Sequence, residues 1–273
     1  MERQFALVPL TVIELTPPEL VSAAAHAGYD AVSLRLSPFR TGEAQHPMLS
    51  RGGVQAPMLV ETAQRLQDAG LEVLDIEVML LTPERDVRDF APVFEAGALL
   101  GARHALTLID IADQGLATER YAALCDVAAG FGLNCALEFT AWLGVNSVQK
   151  AHAVVETAAR PNGGLLLDPF HLFRSGGKLA DLAGIDPKWI RYAQFCDAPA
   201  QAPTTIAEIS EEARFERLIP GDGGLPLREF VKALPTGIPL GLEIPMRKLS
   251  ATMSVDERIR RALVAAERVA NGA

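Results

Sequence analysis

Short runs of consecutive apolar residues alternate along the whole chain with longer stretches in which apolar residues recur every three or four positions. The short runs, at 5–12, 31–36, 72–80, 104–109, 135–140, 164–169, 191–197 and 239–244, have strand length and are apolar on both faces, as parallel strands covered on each side must be. The longer stretches, at 17–28, 56–69, 86–100, 117–131, 146–159, 178–184, 226–234 and 254–270, predict helices. Start signals support them: Thr16-Pro17-Pro18-Glu19 and Ser254-Val255-Asp256-Glu257 both place a hydroxyl three residues ahead of a glutamate. Glycines such as Gly28 and Gly70 stand where helix gives way to strand, a position that favours left-handed backbone.

Eight strand–helix units in series predict an α/β protein built as a closed parallel (β/α)8 TIM barrel. No Gly/Ser linker, charge block or low-complexity segment interrupts residues 1–273, so a single domain is expected. An open, doubly wound sheet is the alternative, but the Gly-rich phosphate loop expected after its first strand is missing. Two connections are longer than a barrel needs, 37–55 and 198–225. Both follow strands, which puts them on the C-terminal face where barrel active sites are built, as candidate lids.

Composition narrows the function. The chain is 49% hydrophobic but only 6% aromatic, enough for a large core made mostly of Ala, Val, Leu and Ile. With 34 acidic against 25 basic residues the net charge is -9, which repels phosphate backbones and points to a small-molecule substrate rather than nucleic acid. No run reaches the roughly 18 apolar residues of a membrane span, and the start of the chain does not resemble a signal peptide. Cys125, Cys135 and Cys196 are an odd, widely spaced set, expected as buried reduced thiols in a cytoplasmic protein. A homodimer or tetramer is compatible with these features.

Four oxygen-bearing side chains stand near the ends of the last four strands: Glu138, Asp168, Gln194 and Glu243. Neighbouring strands lie roughly 5 Å apart, so all four can reach one small ion, and three carboxylates meeting there need a divalent cation to stay ionised together. An all-oxygen set favours Mg²⁺ or Mn²⁺, with Co²⁺ as a further candidate. Arg35 and Glu77 end two earlier strands and either bind polar substrate groups or pair with each other; Trp142, just past Glu138, either walls the pocket or packs in the core. His171 lies three residues beyond Asp168, and His46 falls in a candidate lid; His26, His104 and His152 have no such company.

The pattern formed by Glu138, Asp168-Pro-Phe-His171, Gln194 with Asp197, Pro220-Gly221-Asp222-Gly223 and Glu243 resembles the sugar phosphate isomerase/epimerase family of xylose-isomerase-like barrels. The resemblance implies that Glu138, Asp168, Gln194 and Glu243 ligate the metal, and that Glu138 and Glu243 also carry a proton to and from a carbon beside a carbonyl. It further implies that His171 contacts substrate oxygens or relays a proton and that Arg217 reaches toward substrate. Gln194 departs from the histidine usual in that family and is similar to the subgroup that includes 3-dehydroshikimate dehydratases. A keto-sugar isomerase or epimerase is therefore expected, with a lyase of dehydratase type as the alternative. An abasic-site endonuclease on the same barrel would need a His-rich multi-metal site and a basic face, and a non-catalytic binding barrel would not need both glutamates.

Overall fold

The computed structural model of the chain describes residues 3–39, 46–50 and 52–272. Its strands are β1 (Phe5–Leu7), β2 (Ala31–Arg35), β3 (Glu72–Leu81), β4 (His104–Ile109), β5 (Asn134–Leu137), β6 (Gly163–Leu167), β7 (Ile190–Gln194) and β8 (Leu240–Leu242). Each pairs in parallel with its successor, and β8 pairs with β1 through Ala6 and Gly241, so the sheet closes into a barrel in sequence order. The helices are α1 (Pro17–Ala27), α2 (Pro57–Ala69), α3 (Ala91–Leu99), α4 (Gln114–Ala129), α5 (Val148–Ala158), α6 (Pro169–Arg174), α7 (Ile206–Phe215), α8 (Leu227–Ala233), α9 (Arg247–Ser250) and α10 (Val255–Asn271). No helix among the described residues is long and apolar enough to cross a membrane.

Strand alternation separates two cores. One face of each strand packs outward on the helices through residues such as Leu7, Leu34, Ile76, Leu137 and Leu242. The other fills the barrel with a smaller cluster that includes Ala6, Leu74, Leu106, Ala136, Leu166 and Tyr192. Tyr121 of α4 ties two strands together from outside: its hydroxyl donates to the Cys135 carbonyl at 2.9 Å and accepts from the Gly164 N–H at 2.9 Å.

Local chemistry explains where the elements begin and end. The Thr16 N–H donates to Glu19 at 2.8 Å to start α1, and Gly28, at φ 91°, ends it in left-handed backbone. The first strand is shorter than the expected 5–12, because Pro9 opens a 3-10 turn over Pro9–Val12. The helix expected at 178–184 is a single 3-10 turn, Leu179–Leu182. The helix that follows β6 is instead α6, started by Asp168, which accepts from the Phe170 N–H at 2.7 Å, and by Pro169 in its first turn.

The described residues of both candidate lids follow the C-terminal ends of strands, β2 and β7. Residues 40–45 and 51 of the segment 37–55 are outside the described residues; of the rest, Met48 is fully buried. The second segment, 198–225, contains a helix the sequence reading did not anticipate, α7, whose N-terminus is closed by Thr205 and Glu208. Asp197, buried at the end of β7, holds this segment at both ends. Its carboxylate accepts from the N–H groups of Ala198 (2.8 Å), Gly221 (3.0 Å), Gly223 (3.0 Å) and Leu225 (3.0 Å). A side chain at Gly223 would meet that carboxylate, its Cβ falling 2.7 Å from Asp197 Cγ. Asp197→Ala strands these four donors, that of Ala198 buried and the others partly so, and is expected to destabilise the fold by about 3 kcal/mol in urea unfolding. A loss under about 1 kcal/mol would contradict the role assigned to this carboxylate.

Candidate active site

On each strand the residue two positions beyond an interior one faces the same way and stands at the mouth. Ser33 is thus followed by Arg35, Asp75 by Glu77, Ala136 by Glu138, Leu166 by Asp168, Tyr192 by Gln194, and Gly241 by Glu243. A ring of polar residues thus stands above a layer that mixes apolar residues such as Ala136 and Leu166 with Ser33, Asp75 and Tyr192. Glu138, Asp168 and Glu243 lie just past their strand ends, and Gln194 is the last residue of β7. All four are buried, as are His171 and Arg217.

Arg217, from the second lid segment, enters the ring. Its Nη1 lies 2.7 Å from Asp168 Oδ2 and 2.8 Å from Glu243 Oε2, and its Nε donates to the Ala213 carbonyl at 2.9 Å. Burial works against a charge there, but Glu243 and Asp168 overcome it and hold the guanidinium protonated, above its ordinary pKa. Its Nη2 lies 3.3 Å from His171 Nε2, so the arginine donates and the ring nitrogen accepts. His171 Nε2 is also 3.8 Å from both Glu138 Oε1 and Asp168 Oδ2. Burial holds this histidine neutral, lowering its pKa to about 3, with Arg217 adding to the effect and Asp168 opposing it.

The carboxylates respond as buried like charges do. Glu138 is pushed well above its ordinary value by burial and then by Glu243 and Asp168. Glu243 rises to about 7, burial prevailing over the attraction of Arg217, with Glu77 and Asp168 adding to the rise. With Glu138, Asp168 and Glu243 all ionised, one guanidinium leaves a deficit of two positive charges.

Two buried acceptors in the ring, Glu138 Oε1 and Gln194 Oε1, have no hydrogen-bond partner among the described residues. Ligand atoms of Glu138, Asp168 and His171 all lie within 4.8 Å of one another, a group that could hold a metal ion. The deficit of charge, the orphaned oxygens and this cluster together fit a divalent cation.

Arg35 and Glu77 are brought together, 3.4 Å apart, at the edge of the ring. Trp142 stacks edge-on against His171 with ring centroids 5.4 Å apart. A narrow cleft of ≈ 50 Å³ leads to the ring, lined by Arg35, Glu77, Glu138, Trp142, His171, Arg217 and Glu243, and also by Thr140 and Arg214. His46 lies apart from that cleft, beside Pro9 and Ser37.

Sequence reasoning missed Arg214, which lies near the end of α7, a helix within a segment read as a loop. It also missed a buried polar layer under the ring. Ser33 donates to Asp75 at 2.6 Å, and burial raises Asp75 to about 7 against the hydrogen bonds of Ser33 and Tyr192. His104 stacks on Tyr192 at 5.2 Å.

Comparison with known proteins follows the same lines. Residues 21–267 match the family described as xylose isomerase-like TIM barrel. A 3-dehydroshikimate dehydratase of Pseudomonas aeruginosa is 28% identical over 260 residues, covering 89% of this chain and 38% of the dehydratase. An inosose isomerase of Bacillus subtilis is 27% identical over 158 residues, 54% of this chain and 55% of the isomerase. The chain therefore spans well under two thirds of the length of either relative. The crystal structure of an IolI protein with a bound zinc atom superimposes with a TM-score of 0.82 over 98% of both chains at 20% identity, a likeness of fold. The family match over most of the chain agrees with the closed barrel and the acidic ring at its mouth, and the protein belongs to the xylose isomerase-like TIM barrel family.

Proposed function

We propose that the protein is a divalent-metal-dependent isomerase or epimerase that moves a proton on a carbon beside the carbonyl of a keto-sugar or similar hydroxy-ketone. The observation that carries this reading is the buried ring in which Glu138, Asp168 and Glu243 face a single guanidinium, with two acceptor oxygens left over. Glu138, Asp168, Gln194 and Glu243 would hold the cation, with His171 in reach, and the cation would supply the positive charge that polarises the substrate carbonyl. The oxygen donors favour Mg²⁺, Mn²⁺ or Co²⁺; the imidazole of His171, and the zinc in the IolI structure, bring Zn²⁺ into the set to be tested.

Glu138 and Glu243 take the roles of base and acid. A carbon acid beside a carbonyl gives up its proton only to a group held close to it, and both glutamates line the cleft. His171, neutral and fixed by Arg217 and Trp142, is placed to hydrogen-bond a substrate hydroxyl or relay a proton. Arg217 keeps Asp168 and Glu243 in position and limits their repulsion. Arg35, Glu77 and Trp142 form the walls against which the rest of the substrate rests.

A second reading shares the first step. If the carbon next to the new carbanion bears a hydroxyl, loss of water follows and the enzyme is a dehydratase. Gln194, and the dehydratase relative that matches 89% of this chain, support this alternative.

Three outcomes are expected. Dialysis against a chelator abolishes exchange of substrate protons with D₂O, followed by NMR on a panel of inososes, ketoses and 3-dehydroshikimate, and Mn²⁺ or Zn²⁺ restores it; exchange that survives metal removal sinks the proposal. Deuterium in recovered substrate or its epimer marks the isomerase, and loss of water the dehydratase. Glu138→Gln and Glu243→Gln each lower kcat by about 10²–10⁴ with little change in KM, and a variant with full turnover removes that residue from the acid–base pair.

The third outcome concerns pH. Asp75 and Glu243 titrate near 7 when folded, above their unfolded values, so the folded state keeps protons that the unfolded state has released. Their contribution to stability is fully present below the unfolded values and is lost as pH rises through about 7. His171 and His104, lowered to about 3, act in the opposite sense only below their unfolded value of about 6.5. The Tm of the metal-free protein therefore falls between about pH 6.5 and pH 8, and added Mn²⁺ raises it more at the upper end. A metal-free Tm that rises over that interval contradicts the charge assignment.

A further inference from the structure

Three guanidinium groups line the cleft: Arg35, Arg214 and Arg217. Two have carboxylate partners, Arg35 with Glu77 at 3.4 Å and Arg217 with Asp168 and Glu243 at 2.7 and 2.8 Å. Arg214, near the end of α7, forms no ion pair among the described residues, and its buried Nε has no hydrogen-bond partner. An arginine at a surface is normally satisfied by water, but a guanidinium nitrogen shut off from solvent beside a catalytic cleft lacks the acceptor it needs.

The charge balance of the site points the same way. The three guanidinium groups match the three carboxylates that line the cleft, Glu77, Glu138 and Glu243. Asp168 adds one negative charge beneath them, and a divalent cation adds two positive ones. One positive charge is then left over, on the wall that carries the unpartnered arginine. A substrate with a single negative charge completes the site; a neutral polyol does not, and a doubly charged phosphate exceeds it.

We propose that Arg214 is the receptor for a carboxylate on the substrate, which makes the preferred substrate an acidic hydroxy-ketone rather than a neutral keto-sugar. The inference rests on the reading of the site as an enolising centre for the ketone half of that substrate; the acid half rests on Arg214 alone. The planar guanidinium, carried on a helix of the lid, can present two parallel N–H groups to a carboxylate and so fix which end of the substrate enters the ring. Carboxylate recognition by the lid, with proton transfer in the ring, separates choice of substrate from chemistry.

Calorimetric titration of the Mn²⁺-loaded protein with unreactive probes tests this directly. The probes are shikimate, a hydroxylated ring carboxylate; its neutral methyl ester; myo-inositol; and inorganic phosphate. Wild type is expected to bind shikimate at least about tenfold more tightly than the ester or inositol. Arg214→Gln should erase the difference between acid and ester while leaving affinity for the ester unchanged, and Arg214→Lys should restore part of it. Equal affinity of wild type for acid and ester, no measurable binding of the acid, or an acid preference that survives in Arg214→Gln overturns the proposal. Tighter binding of inorganic phosphate than of shikimate overturns it too, in favour of a phosphorylated substrate. Failure of the enolisation reading would show elsewhere, as proton exchange that persists in Glu138→Gln, and leaves the comparison of acid with ester unaffected.

Discussion

Three carboxylates brought together out of reach of water are the constraint that organises the mouth of this barrel. Two like charges about 4 Å apart in an environment of intermediate polarity repel by roughly 4 kcal/mol, and here Glu138, Asp168 and Glu243 all meet. The surroundings answer one by one. Arg217 is drawn down from the lid to sit between Asp168 and Glu243. His171 stays neutral, offering a ring nitrogen to that arginine instead of a competing charge. Glu138 and Glu243 hold on to protons well above their ordinary range, the response of acids that lack a counter-ion. The arrangement offers a place where a cation could take over from those protons.

That arrangement was legible in the sequence to an uneven degree. Glu138, Asp168, Gln194 and Glu243 could be found because each ends an apolar run, and strand periodicity carries all of them to the same face. The helices were legible through their caps and glycine stops, as at Thr16 and Gly28. Other features depend on contacts between distant segments. Arg217 reads as a residue reaching for substrate, yet it meets Asp168 and Glu243, which lie 49 and 26 positions away. The layer of Ser33, Asp75 and Tyr192 was hidden because their contacts appear only once strands are paired in register, as Ser33 is with Asp75 across β2 and β3, and the barrel interior brings Tyr192 to them. Two misses were local. The Thr205 to Glu208 spacing announced α7 and Asp168-Pro169 announced α6, but the first lay in a segment read as a loop and the second within the strand expected at 164–169.

The short helix α6 connects the acidic ring to the segment 198–225. Asp168 caps its start and His171 stands one turn on. Arg174, at its end, grips Glu212 of α7 with two bonds of 2.8 and 2.9 Å and the Pro199 carbonyl at 2.9 Å. Arg217 closes the circuit by returning from the lid to Asp168. Two buried arginines thus hold the C-terminal half of α7, Arg174 at the Glu212 side chain and Arg217 at the Ala213 carbonyl. Residues of the ring and of the segment 198–225 belong to one ion-pair network.

Asp197 gives the lid a different kind of freedom. Because its carboxylate clasps Ala198 at one end and Gly221, Gly223 and Leu225 at the other, the intervening chain is a closed loop whose ends are set independently of what lies between. Lengthening such a loop costs only a slow logarithmic increment in closure entropy, about 0.6 kcal/mol for each doubling. Insertions and deletions in its outer part can accumulate while the barrel beneath keeps its register. In descendants of this fold, new substrates can be explored by rewriting the lid without rebuilding the chemistry.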